Sequence, residues 1–167
     1  GLITIRKALA GSLNVPAVRT LATVGVDSVT QTARDLGITA PLKNCGLSLV
    51  LGGCEIELVD HVGAFAVIAN GGKGKGATPF NKIEDKHGNI LEEYHEPSNQ
   101  AVNAEAIYEL ISIMTDNTSR AYVFGQHSPL EFTDRPVACK TGTTQNWKDG
   151  WTLCFTPQLA VGVWAGN

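Results

Sequence analysis

Apolar residues recur at every third or fourth position in several stretches of the 167-residue chain, a spacing that predicts helices. In NVPAVRTLATVG, Asn14 is a candidate N-cap, Pro16 lies in the first turn and Gly25 is the stop. Residues 27–37 repeat these signals. Further helices are predicted in EIELVDHVGAFAVIANGG, which closes on two glycines, and from about Ala104 to Thr115. Their apolar stripes are predicted to pack in a core.

The hydrophobic period changes between and after these helices. Ile83 and Ile90 flank a turn at residues 86–89, which predicts a β-hairpin. Near the end of the chain, the stretches DRPVACKTGTT, GWTLCFT and LAVGVWAG predict three antiparallel strands in a meander. Helices followed by a meander predict an α+β domain in which the helices pack on one antiparallel sheet.

Composition narrows the classes of function. The chain is 43% apolar and has 13 basic and 16 acidic side chains, a formal charge of −3, as expected for a globular domain. It has no basic stripe interleaved with aromatic residues, so no nucleic-acid partner is predicted. The longest apolar runs, residues 47–51 and 62–69, fall short of the roughly 20 residues that a membrane span needs.

The cysteines indicate disulfides or buried side chains and not a metal site. They are well separated, form no Cys-x-x-Cys pair and are accompanied by only four histidines. No metal and no cofactor are therefore predicted. The cysteines are Cys45, Cys54, Cys139 and Cys154.

Two short polar motifs lie near opposite ends of the chain. Ser12-Leu13-Asn14 precedes the helix that Pro16 starts, and Lys140-Thr141-Gly142 ends a predicted strand. Each motif alone has an ordinary structural explanation, as helix capping or as a strand end. In this order they match the Ser-x-Asn and Lys-Thr-Gly motifs of penicillin-interacting serine enzymes.

Longer stretches carry a wider resemblance, from about Ala8 to the last residue. ALAGSLNVPAVR, LGGCEIELVDHVGAFAVIANGG, CKTGTTQNWKDGWTLCFTP and AVGVWAGN resemble the transpeptidase domain of class A, bifunctional penicillin-binding proteins. The resemblance implies the α+β fold shared with β-lactamases. It also implies a peptidoglycan D,D-transpeptidase that cross-links stem peptides through a serine acyl-enzyme and is a target of β-lactams. The parent protein would then be extracytoplasmic and anchored to the bacterial cytoplasmic membrane.

The chain departs from the family pattern in one respect. The nucleophile of the family belongs to a Ser-x-x-Lys motif placed before Ser-x-Asn, and none of the serines in this chain is followed by lysine at the third position. We therefore expect residues 1–167 to be the C-terminal portion of a single transpeptidase domain, incomplete without its N-terminal part. That missing part is an expected partner, and the isolated chain is expected to be inactive.

The resemblance assigns catalytic roles to three residues. Ser12 would relay protons between the absent lysine and the leaving amine, and Asn14 would hold the substrate amide. Lys140 would supply positive potential for the nucleophile and for the terminal carboxylate of a stem peptide that ends in D-Ala-D-Ala. β-Lactam antibiotics would occupy the same place.

Substrate binding is assigned to the residues that follow Lys140. Gly142 would let the substrate approach the strand edge, and Thr143 would offer its hydroxyl to the carboxylate and its backbone N–H to an oxyanion hole. Thr141 would face away or support the strand, and Thr144 is included in the substrate-binding set. The extended substrate would add to the sheet as a strand.

Other functions remain open at this point. The chain could belong to a non-catalytic peptidoglycan-binding relative that has lost its serine, or to a β-lactamase-like hydrolase or D,D-carboxypeptidase. It could also be an unrelated structural α+β domain in which both motifs are capping and turn residues. The sequence immediately before Gly1 would separate these possibilities.

Cys139 and Cys154 stand where family members usually carry glycine. If the strands pair about a turn near residues 145–148, the two cysteines lie opposite each other on one face, and Lys140 points to the other face. Directly opposite residues have the separation that a disulfide accepts. Two interpretations stay open, a disulfide beside the Lys-Thr-Gly motif or two buried thiols.

Overall fold

The computed structural model describes residues 1–74, 77–95 and 100–167. Helices form where apolar spacing and terminal signals agree, and strands form where β-branched and aromatic residues cluster. The helices are α1 (Ile5–Ala10), α2 (Asn14–Val24), α3 (Val26–Asp35), α4 (Leu58–Ala69), α5 (Ala104–Met114) and α6 (Asn117–Phe124). The strands are β1 (Lys82–Glu84), β2 (Ile90–Glu93), β3 (Ala138–Thr143), β4 (Asp149–Thr156) and β5 (Leu159–Gly166). Short 3₁₀ segments span Leu42–Leu51 and Gln145–Trp147.

The predicted α+β class is confirmed. Strands β3, β4 and β5 form an antiparallel sheet in chain order, and α4 packs against β4 and β5. Close packing requires a glycine at position 162, because a Cβ there would collide with Val62 of α4. The sheet therefore lies directly on the helix that the long apolar stretch predicts.

The main core lies between this sheet and helices α4 and α5. Phe155 is 3% exposed and Ile107 is 3% exposed, and the Phe155 ring packs edge-on against Phe65 at a centroid distance of 5.9 Å. The buried residues of this cluster are Ile68, Ile107, Met114, Ala138 and Phe155. The core thus packs against β3 at Ala138, close to Lys140 in the same strand.

The helix starts differ from the prediction in two places. Asn14 is the first residue of α2 and not its cap, because Leu13 occupies the cap position with extended backbone and makes no side-chain capping bond. Helices α1 and α6 were not predicted, since each is short. The start of α6 does carry a cap, because Asp116 Oδ1 accepts a hydrogen bond from Ser119 N at 2.8 Å.

The predicted hairpin is present as the separate two-stranded sheet β1–β2. All residues of both strands are exposed. Its turn is closed by Asp85, whose Oδ1 accepts hydrogen bonds from His87 N at 2.7 Å and Asn89 N at 3.0 Å. This sheet owes its order to the turn and not to a core.

Within the described part of the chain, helices are too short or too polar to cross a bilayer. The cysteines form two disulfides, Cys45–Cys54 and Cys139–Cys154. The first closes the 3₁₀ segment 42–51, which packs against α2 and α3. The second lies in the three-stranded sheet.

Candidate functional site

The structure brings the two polar motifs together. Lys140 Nζ donates hydrogen bonds to Ser12 Oγ at 2.7 Å and to the Thr141 carbonyl at 2.6 Å. Ser12 and Lys140 are 128 positions apart in the sequence. The tertiary fold therefore brings the turn between α1 and α2 to β3, a contact that neither motif predicts from its own neighbourhood.

Ser12 lies in the tight turn between α1 and α2. Its φ of 55° is in the left-handed region, which is uncommon for a residue other than glycine. The turn is held by Leu13 N, which donates to the Ala8 carbonyl at 3.0 Å. From α6, Tyr122 donates its hydroxyl to the Lys7 carbonyl at 3.0 Å, and its ring leaves no space for a Cβ at Gly11. The Ser12 hydroxyl is thus held by a fixed backbone turn that is locally strained.

Lys140 is partly buried, and this changes its acidity. Burial, and after it the nearby positive charge of Arg120, lower the pKa of Lys140 from 10.5 to about 8. An amine with a pKa of about 8 can give and accept a proton near neutral pH. The Lys140–Ser12 pair is therefore suited to moving a proton as well as to holding an anion.

The backbone of β3 presents an open edge to this site, because β3 pairs with β4 alone in the described sheet. Cys139 and Cys154 are opposite each other, with Cα atoms 4.2 Å apart. Opposite residues lie about 4.5 Å apart when they do not exchange hydrogen bonds and about 5.5 Å apart when they do. The backbone groups of Cys139, Thr141 and Thr143 consequently point away from β4, toward the open edge.

Side-chain contacts agree with this assignment of the edge. The Cys139 carbonyl accepts a hydrogen bond from Arg120 Nη2 at 3.1 Å, and the Thr141 carbonyl accepts the one from Lys140. Thr143 is exposed at the far end of the same edge. Its backbone N–H and hydroxyl are therefore placed where an extended ligand can reach them.

Gly142 leaves the face of the strand open. A Cβ at this position would lie 3.4 Å from Trp151 Cβ. The φ of Gly142 is not positive, so the backbone conformation does not exclude a side chain. Neither local backbone nor packing within the chain strictly demands glycine here. The missing side chain thus gives room for a group that approaches from outside.

Thr144 lies in the turn between β3 and β4 and is bonded within it. Its hydroxyl donates to Asp149 Oδ2 at 2.6 Å and accepts from Asp149 N at 3.0 Å. Both hydrogen-bonding functions of this hydroxyl therefore close the β3–β4 turn. A contact of Thr144 with substrate stays a prediction, and so does the role of Asn14, which is exposed on the first turn of α2.

Of the two interpretations left open for Cys139 and Cys154, the structure has the disulfide, and a second disulfide lies close to the same turn. Cys139 is 1% exposed and is joined to Cys154 in the register that strand alternation predicts. The segment closed by Cys45–Cys54 contains Gly52, where an added Cβ would lie 2.9 Å from Thr144 Cγ2. Disulfides therefore fasten two chain segments that border the Lys-Thr-Gly strand.

Sequence reasoning missed Arg120, which is 2% exposed and lies behind Lys140. Its guanidinium donates to the carbonyls of Met114, Leu130 and Cys139. No local signal marks it, because all three acceptors are backbone groups in other segments. In the described residues, no cluster of three or more histidine, cysteine or acidic side chains is arranged to hold a metal ion.

Comparison with known proteins gives a consistent result. The family model of the penicillin-binding protein transpeptidase domain matches residues 1–158. The chain is similar to penicillin-binding protein 2D of Bacillus subtilis (strain 168), with 36% identity over 98% of this chain and 24% of the relative. It is also similar to penicillin-binding protein 1A of Aquifex aeolicus (strain VF5), with 35% identity over 99% of this chain and 22% of the relative.

Solved structures agree on the fold. The structure of the penicillin-binding protein PonA1 from Mycobacterium tuberculosis matches this chain at a TM-score of 0.81 and 24% identity. The match covers all of this chain and 48% of the PonA1 chain. A structure of PonA1 in complex with penicillin V matches at a TM-score of 0.82. The chain spans about a quarter of the length of the curated relatives and about half of the PonA1 chain.

Proposed function

Because the chain belongs to the penicillin-binding protein transpeptidase family, we propose that it supplies one side of the active site of a peptidoglycan D,D-transpeptidase. Residues 1–167 would form the C-terminal portion of a single transpeptidase domain. The observation that carries the proposal is the 2.7 Å contact between Lys140 Nζ and Ser12 Oγ, which unites the two motifs. An extracytoplasmic site, where disulfides persist, agrees with the two cystines.

In the proposed reaction, a serine supplied by another part of the protein attacks the carbonyl carbon of the penultimate D-Ala. The bond to the terminal D-Ala breaks, and its amine leaves with a proton. An amine of a second stem peptide then attacks the ester and returns the serine hydroxyl. Ser12 and Lys140 would pass the proton between nucleophile and leaving amine, which a lysine pKa of about 8 favours.

The open edge of β3 would bind the stem peptide as an added strand. Thr143 N–H would stabilise the oxyanion, and the Thr143 hydroxyl would bind the terminal carboxylate beside the Lys140 charge. The outward direction of the edge groups and the open face at Gly142 support this mode of binding. β-Lactams would take the same position and leave a stable acyl-enzyme.

Labelling with a fluorescent penicillin tests the proposal. The 17.7 kDa chain alone is expected to give no labelled band after denaturing electrophoresis, because it contains no Ser-x-x-Lys motif. A labelled band at that mass would contradict the assignment of the nucleophile.

In the longer protein that contains this chain, Lys140→Ala is expected to lower the acylation rate roughly 10²-fold or more. The matched control is Lys148→Ala, which changes an exposed lysine eight positions along and is expected to leave the rate unchanged. Equal rates for the two variants would remove Lys140 from the site.

Product analysis with a D-Ala-D-Ala peptide separates the related reactions. A transpeptidase is expected to form a new amide when an acceptor amine is supplied. Release of D-Ala with hydrolysed peptide alone would instead identify a D,D-carboxypeptidase, and absence of any acyl-enzyme in the longer protein would favour a peptidoglycan-binding relative.

A further inference from the structure

Arg120 is a buried cation whose hydrogen bonds go to backbone carbonyls. It is 2% exposed, and its guanidinium donates to the carbonyls of Cys139 at 3.1 Å, Leu130 at 3.3 Å and Met114. The nearest acidic residue in the sequence is Asp116, the N-cap of α6, whose carboxylate accepts from Ser119 and from Arg6. Burial lowers the pKa of Arg120, and the charge of Asp116 opposes that shift. Burying a charge in this way is costly, so its position calls for a reason beyond packing.

The hydrogen bond from Arg120 to the Cys139 carbonyl indicates that reason. This carbonyl is the first on the open edge of β3 and it directly precedes Lys140. Arg120 thus ties α6 to the strand at the peptide bond that orients Lys140. The planar guanidinium can serve several carbonyls at once, which a single ammonium cannot do with the same geometry.

We propose that Arg120 is a positioning residue for acyl transfer: it fixes the start of the open edge of β3 and thereby holds Lys140 against Ser12, with its own positive charge kept beside Lys140. This inference rests on the proposed function. The hydrogen bonds of Arg120 go to backbone carbonyls, and the bond to Ser12 comes from Lys140, so the effect of Arg120 on the reaction passes through Lys140.

Charge is part of the role. Burial is the main cause of the lowered pKa of Lys140, and Arg120 supplies the Coulombic contribution. Other charged groups on the elements that pack against β3 are placed differently. Asp149 of β4 is bonded by Thr144 and Trp164, and Glu105 and Glu109 of α5 are exposed. A neutral residue at position 120 would therefore leave Lys140 more basic.

The first experiment measures the protonation of Lys140 directly, by an NMR pH titration of its Nζ in the 167-residue chain. In Arg120→Gln, the lysine pKa is expected to rise above about 8 while staying below 10.5, because burial remains. In Arg120→Lys, which retains the charge, the pKa of Lys140 is expected to stay at about 8. The matched control Arg34→Gln removes an exposed cation and is expected to have no effect.

The second experiment follows acylation by a fluorescent penicillin across pH in the longer protein. Arg120→Gln is expected to lower the rate at neutral pH at least about tenfold and to move the pH midpoint upward. Arg120→Lys is expected to keep the midpoint and recover part of the rate. A purely structural role would lower both rates without separating the two midpoints.

Each outcome decides something. An unchanged lysine pKa in Arg120→Gln, identical behaviour of the Gln and Lys variants, or unfolding of both would overturn the inference, the last because it would make Arg120 a structural residue. Absence of acylation in the unmodified longer protein would instead overturn the proposed function. The titration of Lys140 would still report whether Arg120 tunes it.

Discussion

The described part of the chain contains two antiparallel sheets that differ in what lies behind them. Every residue of β1 and β2 is exposed, and the turn at Asp85 provides their main side-chain hydrogen bonds. In the sheet β3–β5, Leu153 and Phe155 are each 3% exposed and pack on helices. Lys140 and the residues that follow it lie on the second sheet, because only strands held by a core can keep a lysine within hydrogen-bonding distance of a distant serine.

Removing core volume should show the difference in stability between the two sheets most clearly. Phe155→Ala leaves a cavity between β4 and the helices and is expected to lower the free energy of unfolding by about 3–5 kcal/mol. Ile90→Ala in β2, where the side chain is 53% exposed, is expected to cost less than about 1 kcal/mol. Urea denaturation of both variants measures the difference, and equal losses would contradict the comparison.

The disulfide is the next largest difference, since β1–β2 has none. Cys139 and Cys154 are 15 positions apart, and a closed loop of that size is worth about 3 kcal/mol in the chain-entropy account. The double variant Cys139→Ala/Cys154→Ala is expected to lose about that much stability, read from thermal unfolding under non-reducing conditions. Reduction of the unmodified chain breaks both disulfides and should therefore lower its stability at least as much. A double variant as stable as the oxidised chain would show that this disulfide does not contribute to stability.

Close approach of helix and sheet gives a smaller effect. Gly162→Ala would place a Cβ against Val62 and is expected to destabilise the chain by about 1–3 kcal/mol. Gly150→Ala is the matched control, because its Cβ would have the Ala165 carbonyl oxygen 3.7 Å away, an ordinary contact. Denaturant midpoints of the two variants should differ in that order, and a stable Gly162→Ala would show that α4 can shift.

Acid should affect the hairpin locally. Hydrogen bonds from the Asn89 side chain, then from the backbone of Asn89 and His87, lower the pKa of Asp85 below its ordinary value of 3.8. The stabilisation is thus complete above pH 3.8 and lost as pH falls through the lower pKa of the folded state. Amide NMR signals of residues 85–89 should shift in that range, and Asp85→Asn should abolish the transition.

Much of the fold could be predicted from periodicity. Helices α2 to α5 follow apolar spacing with glycine or polar ends, and the meander follows from three β-rich stretches. Helix α6 was missed although Asp116 and Gly125 mark its ends, because eight residues offer too few apolar repeats. Asn14 was misjudged as a cap, because the strained turn at Ser12 lets the helix begin one residue earlier.

The site was only partly predictable. The order of the two motifs identified Ser12 and Lys140, and strand alternation placed Cys139 opposite Cys154. The position of Arg120 depends on carbonyls in three separate segments, which no sequence pattern encodes. The hydrogen bond from the Thr144 hydroxyl to Asp149 could not be predicted, because a sequence does not show that Asp149 folds back to accept it.

The 128-residue separation of Ser12 and Lys140 has a consequence for the order of folding. Strands β3 to β5 follow one another through short connections, so they can pair early, whereas the Ser12–Lys140 contact must await closure of nearly the whole chain. The two motifs would then meet only in molecules that have nearly finished folding. A nascent or partly unfolded chain would carry an ordered Lys-Thr-Gly strand in which Lys140 does not yet contact Ser12.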